Sequence, residues 1–456
     1  MRRWPALVVL LLCAGCTSQP APPPPAPSPA APDPGRSGPV ADMLYPEHGN
    51  PGLDVLHHTL RLDWKPDQKL LSGTAVARIR PVVPATEISL DFTGLTVDTV
   101  TVDGRPATGT VRNGKLTVPA TLVPDQPVTL AVGYHGVPEQ ISRPSRRGDA
   151  KEGVGLRPAA NGGAWTMQEP WGAMTWYPAN ELISDKALYD ITVTVPPGWT
   201  AVTNDSAAPM PAYLVTLAID HYTPVRDTGP HGLPLTYWVV PGADDKLLPV
   251  LRKSPELLTW LESLLGPYPF ETAGAVVNGS VSAMETQQLV SMGRPLSWSV
   301  LEQKRYEDTL LHEYAHQWFG DAVTPTTWAD LWLNEGFAQY LEYKYQQKKR
   351  GYDDATLEQV LRSYDARLRR ELGPPGKPSP ADFAGSNVYQ CGAAMLKELN
   401  DALGDDRFWS LMRAWVAGHR YTNQDRAAFI AFVTAHTGED HSKLINAWLD
   451  SPTTPE

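Results

Sequence analysis

Cysteine is almost missing from this chain. Its 456 residues include three, Cys13, Cys16 and Cys391. Two of them stand in an N-terminal leader, so the remainder holds one thiol and no internal disulfide. Stability then has to come from burial, and the length suffices for two or three domains with a substantial core. Clusters of Lys and Arg are lacking as well. With 39 basic against 50 acidic residues, the net charge is −11 and the pI near 5.5. That balance argues against a nucleic-acid partner. The unusual excesses are proline, 45 residues, and tryptophan, 15.

The leader carries Arg2 and Arg3, then an apolar run from Ala6 to Leu12. This is the charged and hydrophobic order of an export signal, and the run is too short to span a bilayer as a helix. It ends Cys13-Ala14-Gly15-Cys16, which resembles a bacterial lipobox with Cys16 as the lipidated first mature residue; Cys13 stands where the pattern usually has Leu. The expectation is an exported protein, lipid-anchored through Cys16 to the outer face of a bacterial membrane. The alternative is plain secretion. Residues 17–44 follow as a Pro-rich linker, extended and without a core of its own.

From Leu53 the pattern alternates. Leu56, His58, Leu60, Leu62 and Trp64 fall on one strand face, with Val55, His57, Thr59, Arg61 and Asp63 on the other. His57 and His58 therefore cannot chelate one metal together and are read as structural. Asp103-Gly104 and Asn113-Gly114 suit type I′ hairpins, whose central residues take positive φ. The spacing predicts a multidomain chain, β then α+β: a mostly antiparallel β domain over 45–240 and a mainly helical domain over 241–456. Helices are expected at 254–265, 302–318, 328–349, 355–372, 389–403, 407–417 and 427–449.

The chemistry gathers at His312-Glu313-Tyr314-Ala315-His316. On a helix, positions i and i+4 share a face, so both imidazoles can reach one ion while the intervening Glu313 accepts a proton from a water molecule. A hydrolytic zinc needs three protein ligands and an open position. Glu335, 19 residues after His316, supplies the third if the first helix ends near Gly320 and a turn through Thr324-Pro325-Thr326 brings the next helix back past the metal. The reading is one Zn²⁺ per chain, held by His312, His316 and Glu335.

The stretch from His312 to Asp321, with Trp328 to Ala338 and with Gly266-Pro267-Tyr268-Pro269-Phe270, resembles the gluzincin aminopeptidases of the aminopeptidase N type. The resemblance covers most of 45–456. It implies a saddle-like antiparallel β domain followed by a thermolysin-like zinc peptidase domain, without the large helical C-terminal domain of many members. It also implies an aminopeptidase acting on peptides with a free N-terminus. Ser282-Ala283-Met284-Glu285-Thr286 matches the family's Gly-Ala-Met-Glu-Asn motif, with Ser and Thr as departures. Through it, Glu285 is the amine-binding carboxylate, and Ala283 and Met284 are substrate-binding positions. Glu169, before Pro170, matches a second amine-binding carboxylate, while Met167 departs from the usual Gln. Tyr389, in Tyr389-Gln390-Cys391-Gly392, matches the oxyanion-stabilising phenol, with Cys391 in place of Lys. Cys391 itself reads as a small buried residue.

The implied reaction uses a zinc-activated water, Glu313 as general base, Tyr389 at the oxyanion, and Glu285 with Glu169 at the ammonium. Asp330 and Asn334 are candidates to orient the ligands. Alternatives that share the metal ligands are an epoxide hydrolase and an endopeptidase. A non-catalytic surface binding protein would need neither Glu313 nor Tyr389. The residues leave the oligomeric state open and are compatible with a monomer.

Overall fold

The alternation around residue 60 becomes the strand Leu53–Lys65, with His58, Leu60, Leu62 and Trp64 buried and Arg61 exposed. This is a computed structural model, and it describes residues 33–143, 145, 151–204 and 206–456. The export signal, Cys16 and the linker as far as residue 32 fall outside the described residues.

Leu53–Lys65 lies third in a seven-stranded sheet. The order is Met210–Pro211, Lys186–Thr194, Leu53–Lys65, Leu70–Pro81, Val128–Gly136, Thr96–Val102 and Arg105–Pro106. Every pair is antiparallel except Leu53–Lys65 with Lys186–Thr194, which is parallel. His57 and His58 do point to opposite faces. His58 stacks on Tyr189 with ring centroids 5.1 Å apart. Burial pushes its pKa down to about 3, so it sits neutral in the core. Both hairpin dipeptides take the positive φ they were chosen for, 49° and 74° at Asp103-Gly104 and 52° and 75° at Asn113-Gly114.

One sheet crosses the boundary expected at residue 240. Strand Thr223–Thr228 pairs with Pro234–Val239, which pairs with Ala273–Asn278, and the sheet continues to Val290–Gly293 and the edge strand Ala283–Met284. The sheet that carries the amine-site motif therefore includes two strands that alternation alone assigned to the β domain. The helices among the described residues are α1 (Leu248–Leu251), α2 (Ser254–Leu265), α3 (Val300–His316), α4 (Trp332–Arg350), α5 (Asp354–Leu372), α6 (Ser386–Leu403), α7 (Asp405–His419), α8 (Arg426–Thr437) and α9 (Ser442–Asp450). Three differ from expectation. α3 stops at His316 rather than near Gly320, and Val323–Pro325 is a strand pairing with Thr422–Gln424. A 3₁₀ turn, Trp328–Asp330, precedes α4. The expected final helix is two, because Gly438 closes α8 in a left-handed conformation.

The end of the expected linker is not a spacer. The Ser37 hydroxyl donates to Asp54 at 2.6 Å, and Val40 N donates to Ser184 at 2.8 Å. Asp42 accepts from Trp328 N at 2.6 Å. Short polar side chains offered to orphaned backbone donors dock this strap across both domains. Trp328, Leu331, Phe383 and Val388 pack into the same core as the β domain's Tyr45, Trp171 and Tyr213, so the seam between domains is apolar.

α4 and α6 meet where two glycines face each other. A Cβ on Gly392 would stand 2.9 Å from Gly336 Cα. Close backbone approach sets the separation of the helices that carry Glu335 and Tyr389. Gly392→Ala gains about 1 kcal/mol of helix propensity but meets backbone that no rotamer can move aside, an overpacking cost of about 1–3 kcal/mol. A net fall in Tm by calorimetry is expected; a Tm at or above that of the parent would contradict this packing.

Candidate metal centre and its cleft

α3 starts at Ser299, whose hydroxyl accepts from Glu302 N, and its cap leaves the far end to the two histidines. The His312 and His316 rings lie edge to face with centroids 4.7 Å apart. Both Nε2 atoms face one oxygen, Glu335 Oε2, at 3.2 and 3.3 Å. The three ligand atoms lie within 4.8 Å of one another and all three side chains are buried. Two imidazole nitrogens and a carboxylate oxygen are the donor set of a catalytic zinc.

Electron-pair donors converging in a buried place need a positive charge among them. Burial alone would lower the pKa of His316, yet the Glu335 carboxylate overrides it and lifts the imidazole to about 9. Burial would likewise raise Glu335, and the two imidazoles hold it far below the carboxylate range. A divalent cation at the same point does the work of those protons, so the residues fit the metal. The remaining ring nitrogens are oriented from outside. Phe319 O accepts from His316 Nδ1 at 3.1 Å, and the Glu342 carboxylate lies 3.3 Å from His312 Nδ1. The first bond fixes the tautomer and ring angle of His316, and the second contact places a negative charge beside His312.

Glu313 is buried beside the ligands and lines the cleft. Burial raises its pKa to about 8 against the pull of His312 and His316. Tyr389, in the first turn of α6, donates to Glu335 Oε1 at 2.7 Å, with its ring stacked at 5.9 Å from that of His312. Cys391 is buried, its Sγ 3.9 Å from Asp365 O, and burial pushes its thiol up.

These groups open on a cleft of about 540 Å³ that Glu285, Glu169 and Ala283 also line. Glu285 Oε1 accepts from Tyr213 OH at 3.3 Å and from Asn334 Nδ2 at 3.1 Å. Its backbone oxygen accepts from Gln317 Nε2 at 2.8 Å. Both side-chain bonds go to one oxygen, Oε1. Glu169 arrives from the β domain, where Arg143 Nη1 donates to its backbone oxygen at 2.5 Å.

Two expected site residues are elsewhere. The Met284 side chain is buried in the core shared with the β domain, because alternation along the edge strand turns it away from Ala283. Asp330 accepts from Trp332 Nε1 and Arg426 N at 3.0 and 3.1 Å; it ties α4 to α8 and touches no ligand. Asn334 orients Glu285 rather than a metal ligand. Glu342, Tyr213 and Gln317 were not foreseen. Glu342 is seven residues after Glu335 on α4, which puts the two on one face, so spacing could have found it. Tyr213 sits in a short 3₁₀ turn of the β domain, 72 residues from its partner, and nothing local marks it.

Comparison with known proteins agrees with this geometry. Residues 253–448 match the peptidase family M1 domain. The chain is 26% identical over 448 residues to Tricorn protease-interacting factor F2 of Thermoplasma acidophilum, covering 89% of this chain and 54% of that protein. It is 26% identical over 315 residues to Aminopeptidase N of Streptomyces lividans, covering 58% of this chain and 35% of that protein. The chain thus spans about half or less of the length of these curated relatives. A mutant M1 zinc metallopeptidase from Deinococcus radiodurans has a similar structure, with TM-score 0.77, 25% identity, and 92% of this chain against 99% of that one. The yeast LTA4 hydrolase shares the fold, with TM-score 0.73 and 19% identity over 89% of this chain and 69% of that one.

The outer contact on His312 is open to test. Glu342→Gln should keep the fold and weaken zinc binding by about 10- to 100-fold, read by competition with a chromophoric chelator. Unchanged affinity would remove Glu342 from the metal centre.

Proposed function

We propose that the chain is a member of peptidase family M1, whose domain its residues 253–448 match, and that it is a zinc aminopeptidase removing the first residue from peptides with a free α-ammonium. The observation that carries this reading is that Glu285 and Glu169, from different domains, line the same cleft as His312, Glu313, His316 and Glu335. A buried carboxylate facing a cleft pairs strongly with an ammonium through a charge-assisted hydrogen bond. Two such acids near the metal select the amino terminus and register the first peptide bond over Glu313.

Zinc, when bound by the three ligands, supplies Lewis-acid polarisation and lowers the pKa of the attacking water. Glu313 takes the proton of that water and delivers it to the departing amine. Its raised pKa suits a group that must hold the proton between the two steps. The Tyr389 phenol, bonded to Glu335 in this structure and lining the cleft, offers its proton to a developing oxyanion. Glu285 and Glu169 hold the ammonium, and Tyr213 and Asn334 keep Glu285 aimed. Ala283 offers edge-strand backbone to an extended substrate.

The leader supports export and a lipid anchor at Cys16, so the proposed workplace is the outer face of a bacterial membrane. Labelling with a palmitate analogue, lost in Cys16→Ala, tests that part by itself.

The decisive assay compares aminoacyl fluorogenic amides with their N-acetylated forms, with and without chelator. Cleavage of the free amines alone, abolished by chelator and restored by zinc, is expected; equal cleavage of blocked substrates would reject the reading. Glu313→Gln should retain zinc and lose about two to four decades of kcat. Tyr389→Phe should lose about two to three decades with zinc still bound.

A further inference from the structure

The cleft continues past the metal along α3. Glu302, Arg305, Thr309, His312 and His316 all line it. Their spacing of three and four residues makes one stripe on the helix. The direction of the stripe is set by Glu285, which Gln317 holds just beyond the C-terminal end of α3. The ammonium site therefore lies at one end of the helix and Arg305 near the other.

Charge divides along the same axis. The acids Glu169, Glu285, Glu313 and Glu335 crowd the ammonium and metal end. Two cationic side chains line the remainder, Arg294 and Arg305, with one acid, Glu302, beside Arg305. Arg294 is committed to a buried carboxylate, donating through Nε and Nη2 to Asp244 at 2.6 and 3.0 Å. Arg305 is not so committed. One Nη1 bond to Glu302 at 3.0 Å steadies the guanidinium, and the side chain is 66% exposed. A guanidinium has five donors in a planar fork that matches a carboxylate.

Length completes the argument. From His316 to Arg305 is eleven residues, about 16 Å of helix rise. An extended peptide advances about 3.4 Å per residue, so about four or five residues fill that span. We propose that Arg305 binds the terminal α-carboxylate of short peptides, so that the cleft reads both ends of a substrate about four or five residues long. A peptide held by both ends gains one contact that a longer chain or a blocked carboxyl end cannot make. This rests on the aminopeptidase reading above.

The test uses the full chain with zinc and free-acid peptides of three to six residues, each beside its C-terminal amide. For four and five residues the acid should exceed the amide in kcat/KM by about three- to tenfold, the scale of a partly exposed charge-assisted contact. In Arg305→Gln the acid-to-amide ratio should fall to about one. Arg305→Lys, which keeps charge without the fork, should retain part of it. Because each ratio is taken on one preparation, a general loss of activity or stability cancels. Equal turnover of acids and amides by the parent would overturn the inference and leave the aminopeptidase reading standing. A ratio that survives in Arg305→Gln would overturn the assignment to Arg305. Failure to cleave any of the free-amine peptides would overturn both readings together.

Discussion

Two imidazoles and a carboxylate are buried facing one another at 3.2 and 3.3 Å, and the rest of the molecule answers to that arrangement. Bringing such groups together out of water is unfavourable unless a positive charge lies among them and each ring has its outer nitrogen satisfied. The sharp end of α3 at His316 makes Phe319 O available to one ring. The length of α4 brings Glu342 to the other. The glycine contact between α4 and α6 lets the helices carrying Glu335 and Tyr389 approach until the phenol reaches the carboxylate.

The same economy governs the substrate side. Glu285 is a buried acid in a region already rich in acids, and it is tolerated because Tyr213 and Asn334 donate to its carboxylate from two separate elements, while Gln317 holds its backbone oxygen. Those donors also fix the orientation of its carboxylate. One set of hydrogen bonds thus meets the cost of burial and provides the aim. The β domain is part of this machinery, since Tyr213 and Glu169 both belong to it.

Periodic and local features were legible in the sequence. Alternation gave the strand at Leu53–Lys65, two Gly dipeptides gave their turns, and the i, i+4 histidines with Glu335 gave the metal ligands. Features that depend on what lies across a gap were not. No local signal tells that the hairpin of Thr223–Thr228 and Pro234–Val239 joins the sheet of Ala273–Asn278 rather than that of the strands before it. Asp330 looked like a ligand partner because it is acidic and near Glu335 in sequence, but its carboxylate is used up on Trp332 and Arg426. Met284 lies next to the working residue of its motif, and strand alternation turns it away. Tyr213 is a single phenol whose meaning comes only from the fold.

The strap formed by residues 34–44 has a thermodynamic reading. Asp42 accepts from Trp328 N, in the turn that launches α4, and α4 carries Glu335. Any free energy that this bond lends to the turn before α4 is shared between strap and metal site, and such coupling runs equally in both directions. Zinc that favours the ordered α4 also favours the docked strap. A fragment beginning at residue 45 would give up the Asp42 bond to Trp328 N, and with it whatever the strap contributes to the launch of α4.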